Sequence, residues 1–310
     1  MLQPPVTDIA NLKTETPGWF KRAFDVPRSQ HSVSVDGTTI NYFRWGDPDK
    51  PGVVLTHGFM AHGRCWAFIA PLLAQNYQLA ALDLSGMGDS GWREHYNMDI
   101  RTQECRAVAD DAGFGAGTAL VCHSYGGSVG LTAAMTDAEN YWSKLIVCDM
   151  TMLAPGEMPD FIERRQERMQ RGVRPHKAHA TYDAIRARFR LAPDQPCEND
   201  YLMDYMAYHS VKQTEGGYVW KFDPRIMGPD EGRDESWFSE IAPNFCGLTL
   251  PRGIIYGEHS QMLSSAALAY VRESTANAVP AIQIADAHHH VMLDQPLALA
   301  AAIDSLLQTL

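Results

Sequence analysis

Two rhythms of apolar and polar positions alternate along this chain. Short runs in which nearly every residue is apolar, such as "GVVL" at 52–55, "YQLAAL" at 77–82, "TALVC" at 118–122 and "KLIVC" at 144–148, are separated by longer amphipathic stretches. A run apolar at consecutive positions suits a strand buried on both faces, whereas recurrence every three or four residues suits a helix packed on one side. The spacing predicts helices over 64–75, about 99–114, about 125–137, near 263–274 and over 296–309. Ahead of them, residues 31–46 ("HSVSVDG" and "TTINYFRWG") read as a hairpin turning at Asp36-Gly37, because Asp-Gly between β-rich runs favours a two-residue turn. Fully apolar strands separated by helices imply a doubly wound, mostly parallel α/β sheet.

After Asp149 the rhythm lapses. Residues 152–242 are richer in charge and aromatics ("DFIERRQERMQR", "YDAIRARFRLAP", "YLMDYMAYHS", "GGYVWKFDP") and are expected to form three or so helices with irregular connections. The strand and helix alternation resumes at "PRGIIYGEHS", 251–260, and continues through "AIQIAD". The expected organisation is therefore a core of residues 1–151 and 243–310 with a helical cap, 152–242, inserted into it. The early segment "TPGWFKRAF" is expected to pack against that cap. At 310 residues, one core with an insertion is the natural size.

Charge and cysteine content narrow the partners. The formal net charge is −11 and the 26 basic residues are dispersed, so no block could track phosphates and nucleic acid is excluded as a partner. Six cysteines without a C-x-x-C pair point to reduced thiols and a cytoplasmic setting. No window of about 18 apolar residues occurs, so no membrane span is expected, and the first twenty residues lack a leader pattern. No His, Cys and Asp grouping has zinc-ligand spacing, and neither a metal nor another cofactor is expected. A homodimer is left open.

The chemistry concentrates in "TALVCHSYGGSVG", 118–130. Ser124 stands where a buried strand hands over to a helix, a place where serine is also a common N-cap. The stretch fits G-x-S-x-G with Cys122 in place of the first glycine, and small neighbours are what a sharp nucleophile-bearing turn requires.

Three further segments join it in order: "LTHGF" at 55–59, "LDLSGMGDSGW" at 82–92 and "ADAHHHVMLDQP" at 285–296. Together the four segments resemble those of the α/β-hydrolase superfamily, from about residue 31 to the end, and the resemblance implies a capped, esterase-like serine hydrolase. It implies Ser124 as nucleophile and His289, seven residues before Pro296, as its general base. It also implies that the backbone N–H groups of Phe59 and Tyr125 form the oxyanion hole. His57, His62 and His123 are read as structural, and Asp83 and Asp286 as loop-shaping.

The third member departs from the family pattern. The usual acid position, in "IIYGEHSQML", is occupied by Ser260. Asp149, at the end of the strand that follows the elbow helix, is preferred as the acid, with Glu258 as the alternative. Aromatics of 152–242 (Phe161, Phe189, Tyr201, Tyr205, Tyr208, Trp220, Phe222, Trp237) suggest an apolar lid. The expected substrate is a small hydrophobic ester, thioester or lactone, cleaved through an acyl-serine. A carbon–carbon hydrolase of vinylogous diketones, or a catalytically weak receptor on the same fold, is the alternative. Epoxide hydrolase and dehalogenase chemistry requires Asp where Ser124 stands.

Overall fold

The computed structural model describes residues 9, 12, 15–157, 175–228 and 235–310. The basic stretch "DFIERRQERMQR" and Phe161 lie outside the described residues. In chain order the strands are β1 (Ser29–Val35), β2 (Thr38–Trp45), β3 (Gly52–Thr56), β4 (Gln78–Leu82), β5 (Thr118–His123), β6 (Trp142–Cys148), β7 (Val211–Thr214), β8 (Gly217–Trp220), β9 (Arg252–Gly257) and β10 (Ala281–Ile284). Eight of them form one sheet in the order β1-β2-β4-β3-β5-β6-β9-β10. The pairs β1/β2 and β2/β4 are antiparallel, and every pair from β4/β3 to β9/β10 is parallel. Asp36 and Gly37 close the β1/β2 hairpin with φ values of 45° and 71°, the left-handed pair that a two-residue turn of this hand demands.

The helices are α1 (Gly18–Asp25), α2 (Ala70–Leu73), α3 (Met98–Asp111), α4 (Tyr125–Met135), α5 (Tyr182–Arg186), α6 (Asp200–His209), α7 (Glu235–Gly247), α8 (Ser265–Ser274), α9 (Val291–Asp294) and α10 (Pro296–Thr309). Successive residues of each central strand feed opposite cores. Val54, Leu120, Cys122, Leu145 and Val147 pack with residues of α3, α4, α7 and α8. Val53, Leu55, Ala119, Val121 and Ile146 pack with α1, α2 and α10. Period-two geometry thus explains why these strands read as unbroken apolar runs.

Two expectations are corrected. Residues 64–75 do not form one helix: a 3₁₀ turn, Gly63–Trp66, is followed by the separate short helix α2. Pro71 lies in the first turn of α2, where its missing N–H costs nothing, whereas inside a continuous helix it would leave a hydrogen bond unmade. The stretch between β6 and β9 also contains sheet, the antiparallel hairpin β7/β8, which turns at Glu215-Gly216. Val211 is buried while the rest of β7 is exposed, so the apolar signal of that strand rests on a single residue. Further on, α7 runs across position 242, and its Phe238, Ile241 and Phe245 join the core beneath the sheet.

The N-terminal helix α1 docks where "TPGWFKRAF" was expected to pack. Phe20 meets Tyr201 and Tyr205 of α6 edge-on, with ring centroids 5.1 and 5.9 Å apart. Among the described residues no helix is long and apolar enough to cross a membrane.

Candidate active site

The carboxyl ends of β5, β6, β9 and β10 converge on one point of the sheet. Ser124 follows β5 directly and has φ 54° and ψ −119°, a conformation that L residues rarely adopt and that costs roughly 1–3 kcal/mol. The turn stays this tight because its neighbours are bare. A Cβ on Gly126 would collide with Thr56 Oγ1 and approach His57 O to 2.8 Å, and one on Gly127 would meet Met150 at 2.8 Å. Cys122 is accommodated in place of a glycine because Gly130 of α4 faces it: a Cβ there would lie 2.6 Å from Cys122 Sγ.

His289, in the loop after β10, reaches Ser124 from across the sheet. Its Nε2 lies 2.8 Å from Ser124 Oγ and its Nδ1 lies 2.6 Å from Asp149 Oδ2. An ionised carboxylate can only accept, so Nδ1–H donates to Asp149 and the lone pair on Nε2 faces the serine hydroxyl. Asp149, 1% exposed, sits just past β6 with φ 50°. Its Oδ1 accepts from Gly257 N–H (3.1 Å), and its Oδ2 also accepts from Ser260 Oγ–H (2.5 Å). Ser260 Oγ in turn accepts from Met262 N–H at 3.1 Å. Ser260, at the position where the family pattern leads one to expect the acid, thus joins the site through its hydroxyl.

Glu258 lies elsewhere. It is exposed, and its carboxylate accepts from Asp286 N–H at 3.1 Å. Glu258, His259 and Asp286 do bring three candidate ligand atoms within 4.8 Å of one another, a grouping that sequence spacing did not reveal. All three are solvent-exposed, and the Glu258 carboxylate is already engaged.

The remaining histidines take other places. His57 Nδ1–H donates to Gly58 O (2.8 Å) while its Nε2 accepts from Leu84 N–H (3.0 Å), which ties the loop after β3 to the end of β4. Burial pushes its pKa down to about 4. His123 Nε2–H donates to the backbone carbonyl of His289 (3.0 Å), so the residue before Ser124 holds the loop that carries the imidazole. Burial, and then His289 itself, push the His123 pKa down to about 3. His288 pairs with Asp294 at 3.3 Å.

The two backbone groups expected to form an oxyanion hole flank the serine. Tyr125 opens α4, where N–H groups lack intrahelical acceptors. Phe59 follows Gly58, at which a Cβ would lie only 3.2 Å from Ser124 Cβ, and the Phe59 and Tyr125 rings meet edge-on at 5.5 Å. Beside them lies a cavity of about 80 Å³ with Phe59, Met60, Leu191, Met206, Met292 and Leu293 in its walls.

Comparison with known proteins agrees with this architecture. The chain is 29% identical over 142 residues to Lipase LipV of Mycobacterium tuberculosis, which covers 42% of this chain and 53% of that protein. It is 31% identical over 207 residues to a Serine hydrolase-like protein of Mus musculus, covering 61% of this chain and 63% of the relative. The matches therefore span less than two thirds of either relative. Among solved structures, E-2-(Acetamidomethylene)succinate Hydrolase superposes with a TM-score of 0.76 at 20% identity, over 91% of this chain and all of that one. The sequence pattern described as "Alpha/beta hydrolase family" matches residues 53–302, and since that range holds most of the sheet and every loop converging on Ser124, the chain belongs to that family.

Proposed function

We propose that the protein is a serine hydrolase that cleaves a carboxylic ester, thioester or lactone with a hydrophobic acyl part. The observation that carries this reading is the unbroken hydrogen-bond chain from Ser124 Oγ through both nitrogens of His289 to buried Asp149. His289 Nε2 takes the hydroxyl proton as Ser124 Oγ bonds to the substrate carbonyl carbon, and the carbonyl electron pair moves onto oxygen. The backbone N–H groups of Phe59 and Tyr125 receive that negative charge, and the opening of α4 adds its own positive end. His289 then gives its proton to the departing alcohol or thiol, which leaves an acyl-Ser124. Water, activated by the same imidazole, releases the acid and restores the serine. Asp149 fixes the tautomer and faces the imidazolium while it exists.

The mostly apolar cavity lined by Phe59 and by His123, the residue before Ser124, supports a hydrophobic acyl group. Residues 152–242 serve in this reading as the cap: Phe189 and Leu191 line the cavity, and the segment is tied to the core where Asp223 N–H meets Gly86 O at 2.7 Å. All six cysteines are free thiols, which supports a reducing, cytoplasmic setting.

A fluorophosphonate probe tests the reading directly. It is expected to label the wild-type protein and not Ser124→Ala, and p-nitrophenyl esters of graded chain length are expected to be hydrolysed by the first and not the second. Absence of labelling across about pH 6 to 9, where an imidazole is neutral enough to act, would refute it.

A further inference from the structure

The cavity lined by Phe59 is not purely apolar: Ser210, His290 and His123, the residue before Ser124, also line it. Two of these have their polar atoms engaged. Ser210 Oγ–H donates to Met206 O at 2.7 Å and accepts from His62 Nε2 at 3.1 Å, and His123 donates to His289 O. His290 differs. Its backbone N–H is held by Gln195 Oε1 at 2.9 Å, and its ring sits 4.9 Å from that of His289 and 5.6 Å from that of His123, so its placement is fixed. Its Nε2 is buried yet has no hydrogen-bond partner among the described residues.

The surroundings also fix the charge on this ring. Burial, and then His289 and His123, hold its pKa well below the usual 6.5, so it is neutral at physiological pH. A neutral imidazole brings no charge to offset that of a buried carboxylate, so an uncharged polar group suits this position better. The ring makes a backbone hydrogen bond with Ala192, and Nε2 offers a donor or an acceptor according to the tautomer; a hydroxyl, which both donates and accepts, can meet either. An aliphatic acyl chain would expel water from the cavity and leave that nitrogen unpaired, which works against binding. With about 80 Å³, against the 10–15 Å³ or so that one water needs, the cavity has room for an acyl group of a few carbons.

We infer that His290 is a specificity residue and that the preferred acyl group is short and carries an uncharged hydroxyl, which hydrogen-bonds His290 Nε2 while its carbons lie against Phe59, Met206 and Met292. This rests on the serine-hydrolase reading.

The test compares p-nitrophenyl butyrate with the 2-hydroxy- and 3-hydroxybutyrate esters, for the wild type, His290→Leu and His290→Gln. At least one hydroxylated ester is expected to exceed the plain ester in kcat/KM by on the order of tenfold in the wild type. That ratio is expected to fall towards one in His290→Leu and to survive in part in His290→Gln, whose amide still bonds a hydroxyl. His290→Phe carries the same reading if His290→Leu does not fold. An equal ratio in the wild type and the apolar variant, or a wild-type preference for the plain ester, overturns the inference. So does a wild type that takes up the fluorophosphonate at Ser124 but turns over none of the three esters, and that outcome leaves the serine-hydrolase reading standing. If the wild type shows neither labelling nor turnover, that reading fails and this one falls with it.

Discussion

Ser260 Oγ donates to Asp149 Oδ2 across 2.5 Å, and the same carboxylate oxygen lies 2.6 Å from His289 Nδ1. One oxygen therefore collects a hydroxyl and an imidazole N–H, while the other is held by Gly257 N–H. The carboxylate has little freedom to rotate, so the imidazole it faces is held in one orientation and one tautomer.

Asp149→Asn keeps the shape but offers an amide to Nδ1, which reverses the tautomer and turns a protonated nitrogen towards Ser124. Ester hydrolysis is expected to fall by on the order of 10³ to 10⁴ in kcat, with binding little changed. Glu258→Gln is expected to stay within about twofold of the wild type, because Glu258 is exposed and engaged with Asp286. Steady-state kinetics on one ester decides, and the reverse pattern would move the acid to Glu258.

Position 260 is close enough to serve as a second home for that acid. In Asp149→Asn combined with Ser260→Asp, a carboxylate enters the space now holding the hydroxyl, one hydrogen bond away from the oxygen that meets His289. Part of the lost rate, at least about tenfold, is expected to return relative to Asp149→Asn alone. Single-turnover acylation is the measurement, and no gain over the single variant would show that a carboxylate at 260 cannot reach the imidazole.

Much of this arrangement was legible in residue order, and the unread part has physical causes. The buried strands announced themselves because both faces of β3 to β6 are covered, which removes the polar alternation of a surface strand. The G-x-S-x-G spacing drew attention to Ser124, and the resemblance to the family's histidine segment pointed to His289, seven residues before Pro296. No local signal says which carboxylate stands behind His289. That follows from sheet order: β9 lies between β6 and β10, so Asp149 at the end of β6 meets the β9 loop and the β10 loop together. Hairpin β7/β8 escaped notice because three of the four residues of β7 are exposed, and the break at Pro71 was masked by an apolar spacing that continues through it.

The aromatic contact between α1 and α6 makes a stability prediction independent of catalysis. Phe20 is fully buried, and its ring meets those of Phe24, Phe68, Tyr201 and Tyr205. Phe20→Ala is expected to cost about 3–5 kcal/mol in urea unfolding, while Lys21→Ala on the exposed side of the same helix should change stability by less than about 0.5 kcal/mol. Similar values for the two variants would show that α1 does not hold α6.

Acid should weaken the fold through its buried histidines. Burial pushes His57 down to about 4 and His123 down to about 3, and holds His62 and His290 well below 6.5. In the unfolded chain each would titrate near 6.5. Above that pH both states are neutral and stability is flat. Below it the unfolded chain takes up protons that the native state refuses, so stability falls by up to about 1.4 kcal/mol per pH unit for each histidine. For His57 the loss continues to about pH 4, and for His123 to about pH 3. Asp83 works in the opposite sense: burial, and then Asp89, raise it to about 6, so between about 6 and its unfolded value of 3.8 the native state binds the extra proton and gains. One carboxyl offsets one imidazole, and the histidines outnumber it. Urea unfolding at pH 7.0, 6.0 and 5.0 is expected to show a steepening loss on acidification, smaller in His123→Phe measured against its own value at pH 7.0. A stability that holds level or rises from pH 6.5 to 5 would mean that these imidazoles are not neutral in the native state.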